Sequence, residues 1–126
     1  MYPTNETERN NLSGPLPKEI AIPSLRTIKL NRNGISGELP KEIGGLEHLE
    51  YLSIERNQFT GNLFFDELFD LADTLKDLRV SNNNFGGSIP DISAFSGLRT
   101  LWVAHNNFSG DFPTSVTALT GLGKTK

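Results

Sequence analysis

Leu98-Arg99-Thr100-Leu101-Trp102-Val103-Ala104-His105-Asn106-Asn107-Phe108-Ser109-Gly110-Asp111-Phe112-Pro113 is the most complete copy of a unit that recurs along the whole 126-residue chain. Its frame is Leu98-x-x-Leu101-x-Val103-x-x-Asn106-x-Phe108-Ser109-Gly110-x-Phe112-Pro113. The same frame returns at Asn33-Gly34-Ile35-Ser36-Gly37, Asn57-Gln58-Phe59-Thr60-Gly61 and Asn83-Asn84-Phe85-Gly86-Gly87, with an opening half-copy at Asn10-Asn11-Leu12-Ser13-Gly14. Asn10, Asn33, Asn57, Asn83 and Asn106 are separated by 23, 24, 26 and 23 residues. A fixed period of this length marks a solenoid, in which each coil is one supersecondary unit that buries its apolar face only against its neighbours.

Each residue type in the frame has a physical task. The second and third apolar residues alternate at period two, so they face the interior of a short strand while their neighbours face outward. Ile28 and Leu30, Leu52 and Ile54, Leu78 and Val80, and Leu101 and Val103 are thereby expected to stack into one core. A side-chain amide both donates and accepts, so an asparagine after each strand can satisfy backbone groups as the chain turns inward and can bond along the stack. Five such residues predict a ladder. The glycine four positions later permits a backbone conformation other residues resist, and the proline after most copies fixes φ and ends the extended run.

The apolar residues between strands, Ile20 and Ile22, then Ile43, Leu46 and Leu49, predict short 3₁₀ or irregular arcs on the opposite side. The third unit differs. Phe64 stands where proline is expected, and Phe64, Leu68, Leu71 and Leu75 fall at i, i+4, i+7 and i+11, an amphipathic pattern that predicts a true helical turn or two. Residues 1–9 are read as a degraded or missing strand, because Tyr2, Asn5 and Thr7 occupy its apolar positions. Residues 10–122 form the repeat domain, about four full repeats with partial ends, closing on an arc through Val116, Leu119 and Leu122. Residues 123–126 are read as a tail that stops before another strand. The fold class is an α/β repeat solenoid: a right-handed superhelix with a parallel sheet on the concave face and helical arcs on the convex face.

Composition removes several function classes. The net charge of −3 argues against a nucleic-acid or acidic-membrane partner, which would need a basic stripe. With no cysteine there is no disulfide, thiol nucleophile or thiolate metal site. No apolar run approaches the roughly 20 residues of a membrane span, and the polar start does not read as a secretory signal. The segment itself is expected to make no direct membrane contact.

Other candidate chemistry weakens on inspection. Gly121-Leu122-Gly123-Lys124-Thr125 echoes the end of a phosphate-binding loop, but the required first glycine falls at Ala118 and no helix follows. Asp66, Glu67, Asp70 and Asp73 lack the alternating oxygen spacing and turn glycine of a calcium loop, so they read as a solvated face. His48 lies on an outer arc and His105 at a strand end, too far apart to share a metal or a proton-transfer task. No nucleophile, base and oxyanion donor converge in the sequence, so neither an enzyme nor a cofactor or metal is expected. Asn5, Asn11 and Asn107 begin glycosylation sequons, although the latter two arise almost automatically within the repeat.

The run Leu-x-x-Leu-x-Leu-x-x-Asn-x-Leu/Phe-Ser/Thr/Gly-Gly-x-Ile/Leu/Phe-Pro resembles the plant-type leucine-rich repeat found in receptor-like kinase ectodomains, receptor-like proteins and polygalacturonase-inhibiting proteins. The resemblance covers residues 10–122. It implies an extra strand at each Gly-x-Ile-Pro segment, matched at Gly14 to Pro17, Gly37 to Pro40, Gly87 to Pro90 and Gly110 to Pro113, but not at Gly61 to Phe64. The family's paired-cysteine caps are absent, and the chain reads as a piece of a longer array whose parent is extracellular or anchored at the plasma membrane. Bare ends imply contacts with flanking repeats or self-association, and marginal stability for the isolated chain.

Fold alone does not fix function. In a stacked parallel sheet, outward strand positions form columns on a pre-formed surface. The repeat register aligns Thr27, Tyr51, Asp77 and Thr100; Lys29, Ser53, Arg79 and Trp102; Asn31, Glu55, Ser81 and Ala104; and, at the edge, Arg32, Arg56, Asn82 and His105. An exposed Trp102 near Tyr51, Arg79 and His105 has the composition of an interface hot spot. The expected function is therefore a protein- or peptide-binding module of a receptor-like ectodomain. The alternative is a soluble interaction protein of the polygalacturonase-inhibitor type.

Overall fold

The structure, a computed structural model, describes residues 4–6, 11–110 and 124–125, with side chains described over 11–110. Among the described residues, ten short strands form two parallel sheets. The first sheet contains β1 (Thr4–Glu6), β3 (Thr27–Lys29), β5 (Tyr51–Ser53), β7 (Asp77–Arg79), β9 (Thr100–Trp102) and β10 (Lys124–Thr125), in that order. The second contains β2 (Ser13–Pro15), β4 (Gly34–Glu38), β6 (Gln58–Asn62) and β8 (Asn84–Gly86). The coils that begin at β3, β5 and β7 each give one strand to each sheet before an arc or turn returns the chain, whereas among the described residues the coil of β9 meets the second sheet at an isolated Ser88–Ser109 bridge. Asn10 and the outer arc through Val116, Leu119 and Leu122 lie outside the described residues.

The first sheet stacks with equivalent repeat positions side by side: Ile28 pairs with Leu52, Leu52 with Leu78 and Leu78 with Leu101. These residues, with Leu30, Ile54, Val80 and Val103, are buried in a single core. Removing each such side chain from water contributes roughly 1.5–3 kcal/mol before chain entropy is counted. At the first end of this sheet the strand is present, and at the other a strand stands where the sequence reading expected none. Thr4–Glu6 forms a strand against Thr27–Lys29, with Asn5 at the apolar register position, and Lys124–Thr125 pairs with Thr100–Leu101. A parallel edge strand is templated by its neighbour's backbone groups, which do not depend on side-chain type.

The second sheet is sheared. Gly14 pairs with Ile35, Gly37 with Phe59 and Gly61 with Phe85, so the glycine of one repeat meets the apolar residue of the next. These three glycines sit at φ +80, +80 and +84, a region open to glycine. The Phe59 and Phe85 rings stack 5.9 Å apart with planes within 3°. The extra strands lie earlier than the resemblance implies: β4 and β6 begin three residues before the glycine rather than at it. The third repeat keeps its strand despite Phe64. β6 ends at Asn62, whose Oδ1 accepts the Phe64 amide at 3.1 Å, and the Phe64 side chain turns into the core.

Three 3₁₀ arcs, Lys18–Ile20, Lys41–Gly45 and Asp66–Leu71, lie between the second-sheet strand of one coil and the first-sheet strand of the next. Pro17 and Pro40 introduce the first two, with φ already fixed. The amphipathic pattern in the third unit is realised as the longest 3₁₀ arc followed by a single α-type bond from the Leu75 amide to the Leu71 carbonyl, at 2.9 Å. This arc lies against Lys41–Gly45 of the coil before. Phe64, Leu68, Leu71 and Leu75 are all buried, as their spacing requires.

The asparagine ladder is a ladder through backbone. The Asn57 amide nitrogen donates to the carbonyls of Ile54 and Glu55 in its own coil and to Leu30 of the coil before, while its oxygen accepts the Ile35 amide. Asn83 and Asn106 repeat the scheme one and two coils on, to Ile54 and Phe59 and to Val80 and Phe85. Asn33 accepts from the Leu12 amide. Each amide thus ties two coils together at the point where both turn.

Candidate functional site

The outward positions of β3, β5, β7 and β9 form two columns in register: Thr27, Tyr51, Asp77 and Thr100, and Lys29, Ser53, Arg79 and Trp102. Lys29, Asn31, Tyr51, Ser53, Asp77 and Arg79 line an open hollow of about 320 Å³ on this strand face.

The floor of the hollow is held by hydrogen bonds between coils. Asn31 Oδ1 accepts from the Ser53 hydroxyl at 2.9 Å and from the Glu55 amide at 2.8 Å. Arg79 grips Asp77 with two parallel bonds, Nε to Oδ1 at 2.7 Å and a terminal nitrogen to Oδ2 at 3.1 Å. That pairing pushes the Arg79 pKa above its ordinary value, so the guanidinium stays charged. The same guanidinium lies 4.2 Å from the centroid of the Trp102 ring. Asp77, Arg79 and Trp102 therefore form one pre-set polar and aromatic unit across two coils. Burial raises the Glu55 pKa above 4.5; Arg79, Arg56 and Arg32 pull it back and Asp77 adds to the rise.

Accessibility divides the expected residues. Tyr51 and His105 are exposed, and Thr27, Lys29, Asn31, Glu55, Asp77 and Arg79 are half-buried. Trp102, expected to stand exposed, is half-buried beneath Arg79. Ser53, Ser81 and Thr100 are buried, at 7%, 6% and 8% exposure, so contact area falls on their larger neighbours. Small side chains sink between the long ones of adjacent coils, which a column of letters does not reveal.

The repeat register puts Arg32 and Arg56 at the edge of the face, and there the structure shows a one-residue left-handed geometry. Arg32, Arg56, Asn82 and His105 all adopt left-handed backbone, with φ between 57° and 61°. The signal available in sequence was positional, since each directly precedes a ladder asparagine.

Elsewhere, His48, Asp66, Asp70 and Asp73 are exposed on the arcs, and Glu67 is half-buried. No group of three or more His, Asp or Glu residues among the described residues could hold a metal ion. Asn11 and Asn107 are exposed, the latter with its amide donating to Phe85. Among the described residues no helix is long and apolar enough to cross a membrane.

The family profile described as Leucine Rich Repeat matches residues 24–46, 74–95 and 97–119. The chain belongs to the leucine-rich repeat family. Among curated proteins, the receptor-like kinase TMK2 of Arabidopsis thaliana is 32% identical over 112 residues, covering 86% of this chain and 12% of that protein. The leucine-rich repeat ectodomain of the plant membrane receptor kinase GASSHO1/SCHENGEN3 of Arabidopsis thaliana, solved with CASPARIAN STRIP INTEGRITY FACTOR 2, superposes with TM-score 0.88 at 31% identity, covering 97% of this chain and 15% of that one. The plant peptide hormone receptor RGFR1, solved with RGF2, gives 0.87 at 33% identity, covering 95% of this chain and 19% of that one. The chain thus spans less than a fifth of each. The leucine-rich repeats of this chain are similar to those of plant receptor-kinase ectodomains.

Proposed function

We propose that the chain is a ligand-recognising stretch of a plant receptor-like ectodomain that holds a protein or peptide against its first-sheet strand face. The observation that carries this reading is the pre-set Asp77, Arg79 and Trp102 unit beside the hollow at Lys29, Tyr51 and Ser53. Arginine and aromatic side chains already fixed by their neighbours lose little entropy on binding, the condition under which a few residues dominate an interface. Two structural neighbours, solved in complex with CASPARIAN STRIP INTEGRITY FACTOR 2 and with RGF2, support a ligand-binding role for a repeat array of this kind. The parent protein would then present this surface outside the cell, free or anchored at the plasma membrane.

Panning a displayed random-peptide library against the chain tests the reading. Enriched peptides should lose roughly tenfold or more in affinity towards the Arg79→Ala and Trp102→Ala variants, the scale of an interface hot spot. Peptides that bind both variants as they bind the original chain would place the ligand surface elsewhere.

A further inference from the structure

Charge is segregated across the solenoid. On the strand face Lys29, Arg32, Arg56 and Arg79 stand against Glu55 and Asp77, an excess of cations in a chain whose net charge is −3. The outer arcs expose Glu19, Glu42, Glu47, Asp66, Asp70 and Asp73 against Lys18 and Lys41, an excess of anions. Asp77 is already taken up by both bonds from Arg79. Lys29 and Arg79 are half-buried, so the exposed cations among these residues are Arg32 and Arg56, at the edge of the face.

Arg32 and Arg56 occupy that edge in consecutive coils. Both are exposed, and among the described residues neither makes an ion pair. Their backbones are locked in register, since the Arg32 amide donates to the Glu55 carbonyl at 2.9 Å and the Arg56 amide to the Ser81 carbonyl at 3.0 Å. The two guanidinium stems consequently rise about one strand spacing apart, about 4.8 Å. Both residues also hold φ at 60° and 57°, a region that long side chains avoid and that glycine or asparagine enters readily. The next coil uses Asn82 at this position, at φ 61°. The bonds to the next coil explain the conformation but give no reason for arginine in it in two successive coils, and a long side chain kept where asparagine fits better points to use of that side chain.

We propose that Arg32 and Arg56 form an anion-binding pair that anchors the side-chain carboxylates of an acidic segment in the ligand. The inference rests on the ligand-binding reading above and specifies its chemistry. A guanidinium presents a planar fork of donors that matches a carboxylate bidentately, and two forks one coil apart would fix the register of an extended acidic peptide across the repeats. Glu55 lies in the field of both arginines, but it is half-buried and shares that field with Arg79.

The test uses two fluorescein-labelled decapeptides with amidated C-termini, one alternating glutamate with tyrosine and the other glutamine with tyrosine, titrated against the chain by anisotropy at low and high salt. Amidation removes the terminal carboxylate as an alternative anion. The glutamate peptide is expected to bind roughly tenfold or more tightly at low salt, the scale of a charge-assisted pair, and the preference should vanish with screening. Arg32→Gln/Arg56→Gln should abolish the preference, whereas Lys18→Gln/Lys41→Gln, which removes the same charge from the outer arcs, should keep it. An Arg32→Asn/Arg56→Asn variant, whose residues suit the left-handed backbone, separates loss of binding from loss of folding. Equal binding of the two peptides, or an unchanged preference in the arginine variants, overturns the anion site. Library peptides that depend on Trp102 yet carry no acidic residue would overturn it too, while leaving the binding role intact.

Discussion

The Arg79 guanidinium lies 4.2 Å above the Trp102 ring, with Trp102 one coil further along the same column. The contact joins two repeats through side chains, in addition to the backbone ladder between β7 and β9. Such a cation held over indole contributes about 0.5–1 kcal/mol when partly exposed. A double-mutant cycle with Arg79→Ala and Trp102→Ala, read from urea midpoints, should return a coupling of about that size. Strict additivity would mean that the two side chains are merely adjacent.

Asn57 and Asn83 are buried, at 8% and 6% exposure, and each satisfies backbone groups in two coils. Replacing Asn57 by leucine removes the acceptor of the buried Ile35 amide, whereas the Leu30 carbonyl keeps its bond from the Asn33 side-chain amide at 3.1 Å. An orphaned buried donor costs about 1–3 kcal/mol, so Asn57→Leu is expected to lose about that much. Hydrogen exchange at the Ile35 amide should accelerate by more than global destabilisation explains. A leucine variant as stable as the original would show the ladder to be dispensable.

Gly44 and Gly45 are sequence neighbours with opposite surroundings. A β-carbon at Gly44 would run into the Glu67 carbonyl of the next arc, whereas at Gly45 nothing lies within 4 Å. Overpacking of this kind typically costs about 1–3 kcal/mol. Gly44→Ala should therefore lower the thermal midpoint clearly, and Gly45→Ala should leave it within error or raise it. Equal effects at both positions would mean that the arcs can separate freely.

Glu55 gives stability a pH dependence with an unusual sign for a carboxylate. Because burial raises its folded pKa above 4.5, the folded chain holds this proton more tightly than the unfolded chain does. Its contribution is thus fully present below the unfolded value and is lost as pH rises through the folded one. Glu55→Gln should flatten this part of the profile and gain stability relative to the original chain towards neutral pH. Urea midpoints measured for both chains from acid to neutral pH provide the check, and parallel profiles would count against it.

Much of this architecture is legible in the residues. The asparagine period sets the coil length, and the alternation of Ile28 with Leu30 or Leu101 with Val103 decides which strand positions face inward. The same register aligns Thr27, Tyr51 and Asp77 and aligns Lys29, Ser53 and Arg79, because equivalent residues of equal-length coils stack side by side. Period and alternation are local properties, so a single chain of letters carries them.

What tertiary structure alone decides depends on neighbouring coils. Ser53, Ser81 and Thr100 sink below the surface because longer side chains close over them, and Trp102 is covered because Arg79 folds onto it. Strand formation at Thr4–Glu6 and Lys124–Thr125 follows from backbone templating by β3 and β9, whatever the side chains. The left-handed turns at Arg32 and Arg56 are likewise imposed from outside, by the amide bonds each makes to the coil beyond. Sequence fixes which residues share a column; the contacts between coils, made over separations of twenty or more residues, determine which of them a ligand can reach.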